Sequence, residues 1–134
     1  MTPELNKQRV IDFFAHLGAP KNVAGAMAMM ADDGSWWVNG PIGQLPFFGQ
    51  HDKTTITALL NSLVPVMTHG LLITPVHLVA EGNHVSMEST SYGELPNGRT
   101  YTNRCHFAIE LRDGQILHVR EYMDTQALLQ AVAP

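Results

Sequence analysis

The chain carries a single cysteine, Cys105, among 134 residues. No internal disulfide can therefore staple it. Basic residues are scarce: eight Lys and Arg stand against twelve Asp and Glu, a formal net charge of −4. They are also scattered, whereas nucleic acid needs a concentrated basic face. Nucleic acid is not expected as a partner. No apolar run approaches the roughly 20 residues of a membrane-spanning helix, so no membrane partner is expected either. The stretch from Met1 to Lys7 has no charged-then-apolar leader pattern, which predicts a soluble, cytoplasmic protein. Seven histidines are present, but none pairs with another ligand at helical or finger spacing. Neither a metal nor another cofactor is expected.

What the chain does have is a core. Apolar residues make up 45% and charged residues 15%, the balance of a globular protein. Residues 1–134 fit one domain without linker, repeat or low-complexity tract. Thr2 can cap a helix with Pro3 in its first turn, and Leu5, Val10, Phe13, Phe14 and Leu17 form its apolar stripe. A second helix is expected over about 21–31, carrying Val23, Met27 and Met30. A strand follows at Trp36 to Asn39 and stops at Gly40-Pro41. The Gly- and Pro-rich run 41–50 reads as loop with at most a short strand. Asp52 can cap a third helix with Ile56, Leu59, Leu60 and Leu63 on one side. Four strands come next, at about 71–81, 84–95, 99–111 and 115–124, with Gly-containing turns between them. Helices first and an antiparallel meander after them predict an α+β fold.

Glu121 is the outstanding residue. In the last strand Leu117, Val119 and Met123 occupy one alternating face, and Glu121 interrupts it. Burying a carboxylate among apolar side chains costs free energy and raises its pKa towards neutrality, as proton-transfer chemistry requires. Turn chemistry supplies its neighbours. A two-residue loop at Asn97-Gly98 and a three-residue loop at Arg112-Asp113-Gly114 would place Glu88 opposite Phe107, Thr90 opposite Cys105, and Cys105 opposite Glu121. One face would then collect Glu88, Thr90, Tyr92, Tyr101, Asn103, Cys105, Phe107, Val119, Glu121 and Met123. That mixture of apolar walls and isolated polar groups suits a small-molecule pocket. Glu88 and Glu121 would stand roughly 11–12 Å apart at their α-carbons, on either side of a ligand.

Each candidate has a plainer role beside the functional one. Glu121 and Glu88 can be an acid and a base, or carboxylates reaching water at a rim. Asn39 can orient a water or a carbonyl, or simply form the turn before Gly40-Pro41. Tyr101, Tyr92 and Asn103 can position a ligand or pack in the sheet. Trp36 and Trp37 alternate, so only one faces inward. His69 can line a pocket mouth. Cys105 reads as a small apolar wall residue. Asp124 shares its side with Arg120 and suits an ion pair or the cap of a final helix.

Three segments carry a family resemblance: Met30 to Ile42, Phe48 to Asp52, and Leu95 through Asp113-Gly114-Gln115 to Arg120-Glu121-Tyr122-Met123-Asp124. In this order they resemble the nuclear transport factor 2-like superfamily, which includes ketosteroid isomerase, SnoaL-type polyketide cyclases and limonene epoxide hydrolase. The resemblance implies a cone-shaped α+β barrel, with a strongly curved, mainly antiparallel sheet wrapped around N-terminal helices and enclosing a pocket, in a chain that is usually a homodimer. It implies a small, mostly apolar substrate and isomerase, hydrolase, cyclase or dehydratase chemistry without metal; the alternative is a non-catalytic ligand-binding or dimerisation module. Glu121 matches the hydrolase's water-activating acid, and Asn39 a residue that holds that water. Trp37, Glu88 and Thr90 stand where the hydrolase has Tyr, Arg and Asp. Asn39, Phe14 and Cys105 fall at or near the isomerase's base, helix tyrosine and second oxyanion donor. With the face assigned from strand register, the expected lining comprises Trp37, Phe14, Thr90, Tyr101, Asn103, Cys105, Phe107, Met123 and His69.

Overall fold

The computed structural model describes residues 1–134. Helix α1 (Pro3–Ala15) begins where the Thr2 hydroxyl accepts the Leu5 N–H at 3.2 Å. Its Val10, Phe13 and Phe14 are buried, with Leu17 just beyond its end. Each such side chain contributes on the order of 1.5–3 kcal/mol by leaving water. Helix α2 (Val23–Ala28) is shorter than the sequence predicts. The chain turns extended at Met30, and β1 (Met30–Val38) takes in the Asp32-Asp33-Gly34 segment. Strand β2 (Gly49–Asp52) follows. Asp52 then caps α3 (Lys53–Leu63) through the Thr55 N–H at 2.8 Å.

The remaining strands are β3 (Leu72–Glu81), β4 (His84–Glu94), β5 (Thr100–Arg112) and β6 (Gln115–Met123), and α4 (Thr125–Val132) closes the chain. The six strands form one sheet in the order β2-β1-β6-β5-β4-β3, antiparallel except for the β1–β6 pair. The sheet curves round the N-terminal helices but does not close, since β2 and β3 remain edges. Its inner face and the helices share one core of 23 buried residues. The fold is the expected α+β, mainly antiparallel arrangement.

Two turns differ from the sequence reading, and the difference decides which residues share a face. Leu95 N–H bonds Arg99 C=O at 2.9 Å and Gly98 N–H bonds Leu95 C=O at 3.1 Å, so the β4–β5 loop is the three residues Pro96, Asn97 and Gly98. Proline suits the first corner of such a turn and cannot donate to a ladder. Gly98 takes the left-handed position at φ +84°. Asn97 Oδ1 reinforces the turn by accepting Arg99 N–H at 2.9 Å. Conversely, β5 and β6 join through two residues, Asp113 (φ +52°) and Gly114 (φ +79°), as a tight hairpin with two left-handed positions requires. A bulge then leaves Leu117 unpaired in β6 and restores the parity expected for Glu121.

Candidate active site

The one-residue change between β4 and β5 turns β4 over. Glu88 pairs with His106, not Phe107, and Met87, Ser89 and Ser91 face inward. Glu88, Thr90 and Tyr92 are exposed on the outer face. The expected pairing of Glu88 with Glu121 across one ligand is thereby corrected: the two carboxylates lie on opposite faces of the sheet.

Glu121 stays inside. It sits opposite Phe107 of β5 and beside Val38 of β1, with Met123 opposite Cys105. A cavity of about 80 Å³ opens over it. Fifteen of its 16 lining residues are hydrophobic, and Glu121 is the exception. Trp36 and Val38 form one wall, and Ile56, Leu59, Leu60 and Leu63 of α3 another. Phe47, Met67, Leu71, Ile73 and Leu95 continue it, and Tyr101 and Met123 flank the carboxyl. Leu128 and Val132 of α4 cover one side. Glu121 retains partial exposure, and the cavity is where it is exposed.

The carboxyl has one hydrogen-bond donor: Trp36 Nε1–H donates to Oε1 at 3.0 Å. No cation neutralises it, for the ion pairs of the molecule are Lys53–Asp32, His69–Glu94 and Arg112–Asp33. Burial therefore pushes the Glu121 pKa up to about 7, and the Trp36 bond opposes the rise. Near neutral pH both protonation states are populated, so the group can take and return a proton.

Tyr101 supplies the second polar group at the cavity wall. Burial foremost, then the neighbouring Cys105, holds its pKa above the ordinary tyrosine value, so the O–H stays protonated. Asn103 Nδ2–H donates to the Tyr101 oxygen at 2.8 Å and to the Asp124 carbonyl at 3.0 Å. The hydroxyl's own proton is directed only at the Met123 sulfur, 3.6 Å away, a weak acceptor. Cys105 lies beside this pair. Burial pushes its thiol up to about 11, with the Glu121 charge as a lesser cause, so it is a neutral neighbour at physiological pH.

The other expected residues are placed differently. Asn39 does not line the cavity. Its N–H bonds the Glu121 carbonyl at 3.0 Å and its Oδ1 accepts Met123 N–H at 2.9 Å, which ties β1 to β6. Trp37 faces outward and packs against Tyr122, the ring centroids 5.2 Å apart and the planes tilted by 58°, so the inward tryptophan is Trp36. Phe14 and Phe107, 4.5 Å apart, pack behind the Trp36 indole as its support. Asn103 and Cys105 are buried behind the lining, Thr90 is outside, and His69 lies at the surface 3.4 Å from Glu94. Of the 16 lining residues sequence reasoning named Glu121, Tyr101 and Met123; it missed Trp36 and Val38, Phe47, the side chains from α3 and α4, and Met67, Leu71, Ile73 and Leu95. Trp36 shares strand parity with buried Val38, a signal present in the sequence. Phe47 comes from an irregular segment with no periodicity to read.

A family model described as a SnoaL-like domain matches residues 10–119. A solved NTF2-like protein from Burkholderia xenovorans LB400 is 31% identical over 98% of both chains, with a TM-score of 0.76. TerC, co-crystallised with polyporic acid, is 19% identical over 97% of this chain and 99% of its own, at TM-score 0.82. A Catenulispora acidiphila DSM 44928 protein with a ketosteroid isomerase-like fold, in complex with trimethylamine, is 15% identical over 98% and 93%, at 0.75. The last two show a shared fold. No curated protein matches the sequence.

Proposed function

Because this chain belongs to the SnoaL-like family of the nuclear transport factor 2-like superfamily, we propose that it is an enzyme that moves a proton on a small, mostly apolar molecule, with Glu121 as base and then acid. The observation that carries this reading is a single carboxyl, without a counter-cation, in an otherwise hydrophobic cavity. A substrate with an acidic C–H beside a carbonyl suits both polar groups. The Glu121 carboxylate takes the proton. The C–H electron pair moves into the adjoining bond as charge develops on the carbonyl oxygen. The Tyr101 O–H, held by Asn103, donates to that oxygen in place of the Met123 sulfur. Protonated Glu121 then returns the proton to the same carbon or to a conjugated one. Apolar walls exclude water and strengthen each of these interactions.

The homodimer belongs to the same proposal. The outer face of the sheet presents the Trp37–Tyr122 pair, with Tyr92 and Val76 exposed, and sedimentation velocity reads the assembly directly. No helix is long and apolar enough to cross a membrane.

Proton exchange tests the chemistry without knowledge of the natural substrate. A panel of small cyclic ketones and enones incubated in deuterium oxide, followed by proton NMR, should show enzyme-dependent loss of the C–H signal next to the carbonyl. Glu121→Gln should lose that exchange by about 100-fold or more, the usual scale of a missing general base. Full exchange in Glu121→Gln refutes the assignment. Binding of panel members without exchange in the intact protein favours the non-catalytic pocket.

A further inference from the structure

We infer that the cavity selects small organic cations, an apolar body bearing an ammonium group, over neutral molecules of the same shape. The inference deepens the reading above, since it uses the same carboxyl.

Glu121 has one hydrogen-bond donor, Trp36, and no cationic partner. An ionised carboxylate in such a place leaves its charge uncompensated. A neutral occupant does nothing to relieve that. An ammonium beside the carboxylate does, and in a low-dielectric cavity the attraction is stronger than in water. The rest of the wall suits a cation with methyl groups. Trp36, Phe47 and Tyr101 bring aromatic rings and Met67 and Met123 bring thioethers, soft and polarizable surfaces of the kind that hold quaternary ammonium groups. No lysine or arginine lines the cavity to repel the ligand.

The groups facing Glu121 make its charge the deciding one. From β5 it meets Tyr101 and Cys105, both kept neutral by burial. Asp124, at the start of α4, adds negative charge near Tyr101. The lining residues of β1, β3, α3 and α4 contain nothing that titrates. A permanent cation should therefore bind in proportion to the ionised fraction of Glu121. With a pKa of about 7, that fraction rises about tenfold between pH 6 and pH 8. The same carboxylate that removes a proton from a neutral substrate is occupied by the cation, which makes such cations inhibitors of exchange.

The test uses choline and 3,3-dimethylbutan-1-ol, which differ only in a charged nitrogen replaced by carbon. The readout is the Trp36 indole N–H resonance, distinguished from that of outward-facing Trp37 by the Trp37→Phe variant. Choline is expected to bind about tenfold or more tightly than the alcohol at pH 8, and to lose about tenfold in affinity at pH 6. The alcohol's affinity should not weaken over the same range. Glu121→Gln should abolish the preference while still binding the alcohol. Equal affinity for the two ligands, choline binding that ignores pH, a preference that survives in Glu121→Gln, or no binding of choline each overturns the inference. A choline preference without deuterium exchange in any ketone would sink the catalytic reading and leave the cation site standing.

Discussion

A carboxyl group inside an apolar cavity is stabilised by little beyond its own protonation. At Glu121 the single Trp36 N–H is the one interaction that favours the charged form. Removing it in Trp36→Phe should raise the Glu121 pKa further, so the acidic limb of any pH–rate profile should move to higher pH. Profiles of exchange rate for the two proteins check this, and an unmoved limb contradicts it. Tyr101 and Asn103 form the second unit. Asn103→Leu keeps comparable bulk but removes the amide that fixes the hydroxyl. It should lower the maximal rate of exchange more than it weakens ketone binding, which separate kcat and KM measurements resolve. At this scale the sequence was informative about Glu121, because a charge on an alternating apolar strand face is visible without coordinates. On Trp36 against Trp37 it offered only the parity that Trp36 shares with Val38. Neighbouring tryptophans in a strand differ only in parity, and the resemblance, which sets Trp37 where the hydrolase has Tyr, favoured the outward one.

Between residues and molecule lie the turns, where the sequence reading went astray. Asn97-Gly98 and Asp113-Gly114 are both sound two-residue hairpin signals. Only the second is used that way, because Pro96 takes a corner and lengthens the first loop by one residue. A single residue of register exchanges the two faces of a strand, and Glu88 left the pocket for that reason alone. The β6 bulge at Leu117 has no composition cue, yet it offsets the loop change and keeps Glu121 inside. Glu88→Gln should therefore leave exchange within about twofold of the parent, as is usual for a surface change remote from the chemistry. A large loss would restore Glu88 to the site. Asn39 is an element-scale residue as well. Its side chain closes the β1–β6 seam on the Met123 N–H, so Asn39→Ala should cost on the order of 1–3 kcal/mol by leaving that donor unmet. Asn39→Asp, which keeps an acceptor oxygen, should recover part of the loss in urea denaturation.

For the whole molecule, the helices-then-meander order and the antiparallel pattern were legible from periodicity and turn residues. The parallel β1–β6 pair was not, because it joins distant segments and depends on how the sheet curves. That pair brings Trp36 to Glu121 and so creates the site. The site should in turn be felt in global stability. The Glu121 pKa rises from an ordinary 4.5 to about 7 on folding. Between those pH values the unfolded chain has released the proton and the folded chain has kept it, so stability is lost as pH rises through the window and then levels off. The integrated effect is on the order of 3 kcal/mol for a shift of this size. Glu121→Gln should match the parent near pH 4.5 and exceed it by up to that amount at pH 8, as urea unfolding at the two pH values would show. The central claim is narrower still: Glu121 is a proton acceptor poised near neutrality inside an apolar cavity. A carbon-13 NMR titration of its side-chain carboxyl, assigned by its absence in Glu121→Gln, tests that directly. A midpoint near pH 7 is expected, and one between about 4 and 5, the range of an ordinary solvated glutamate, would contradict the account.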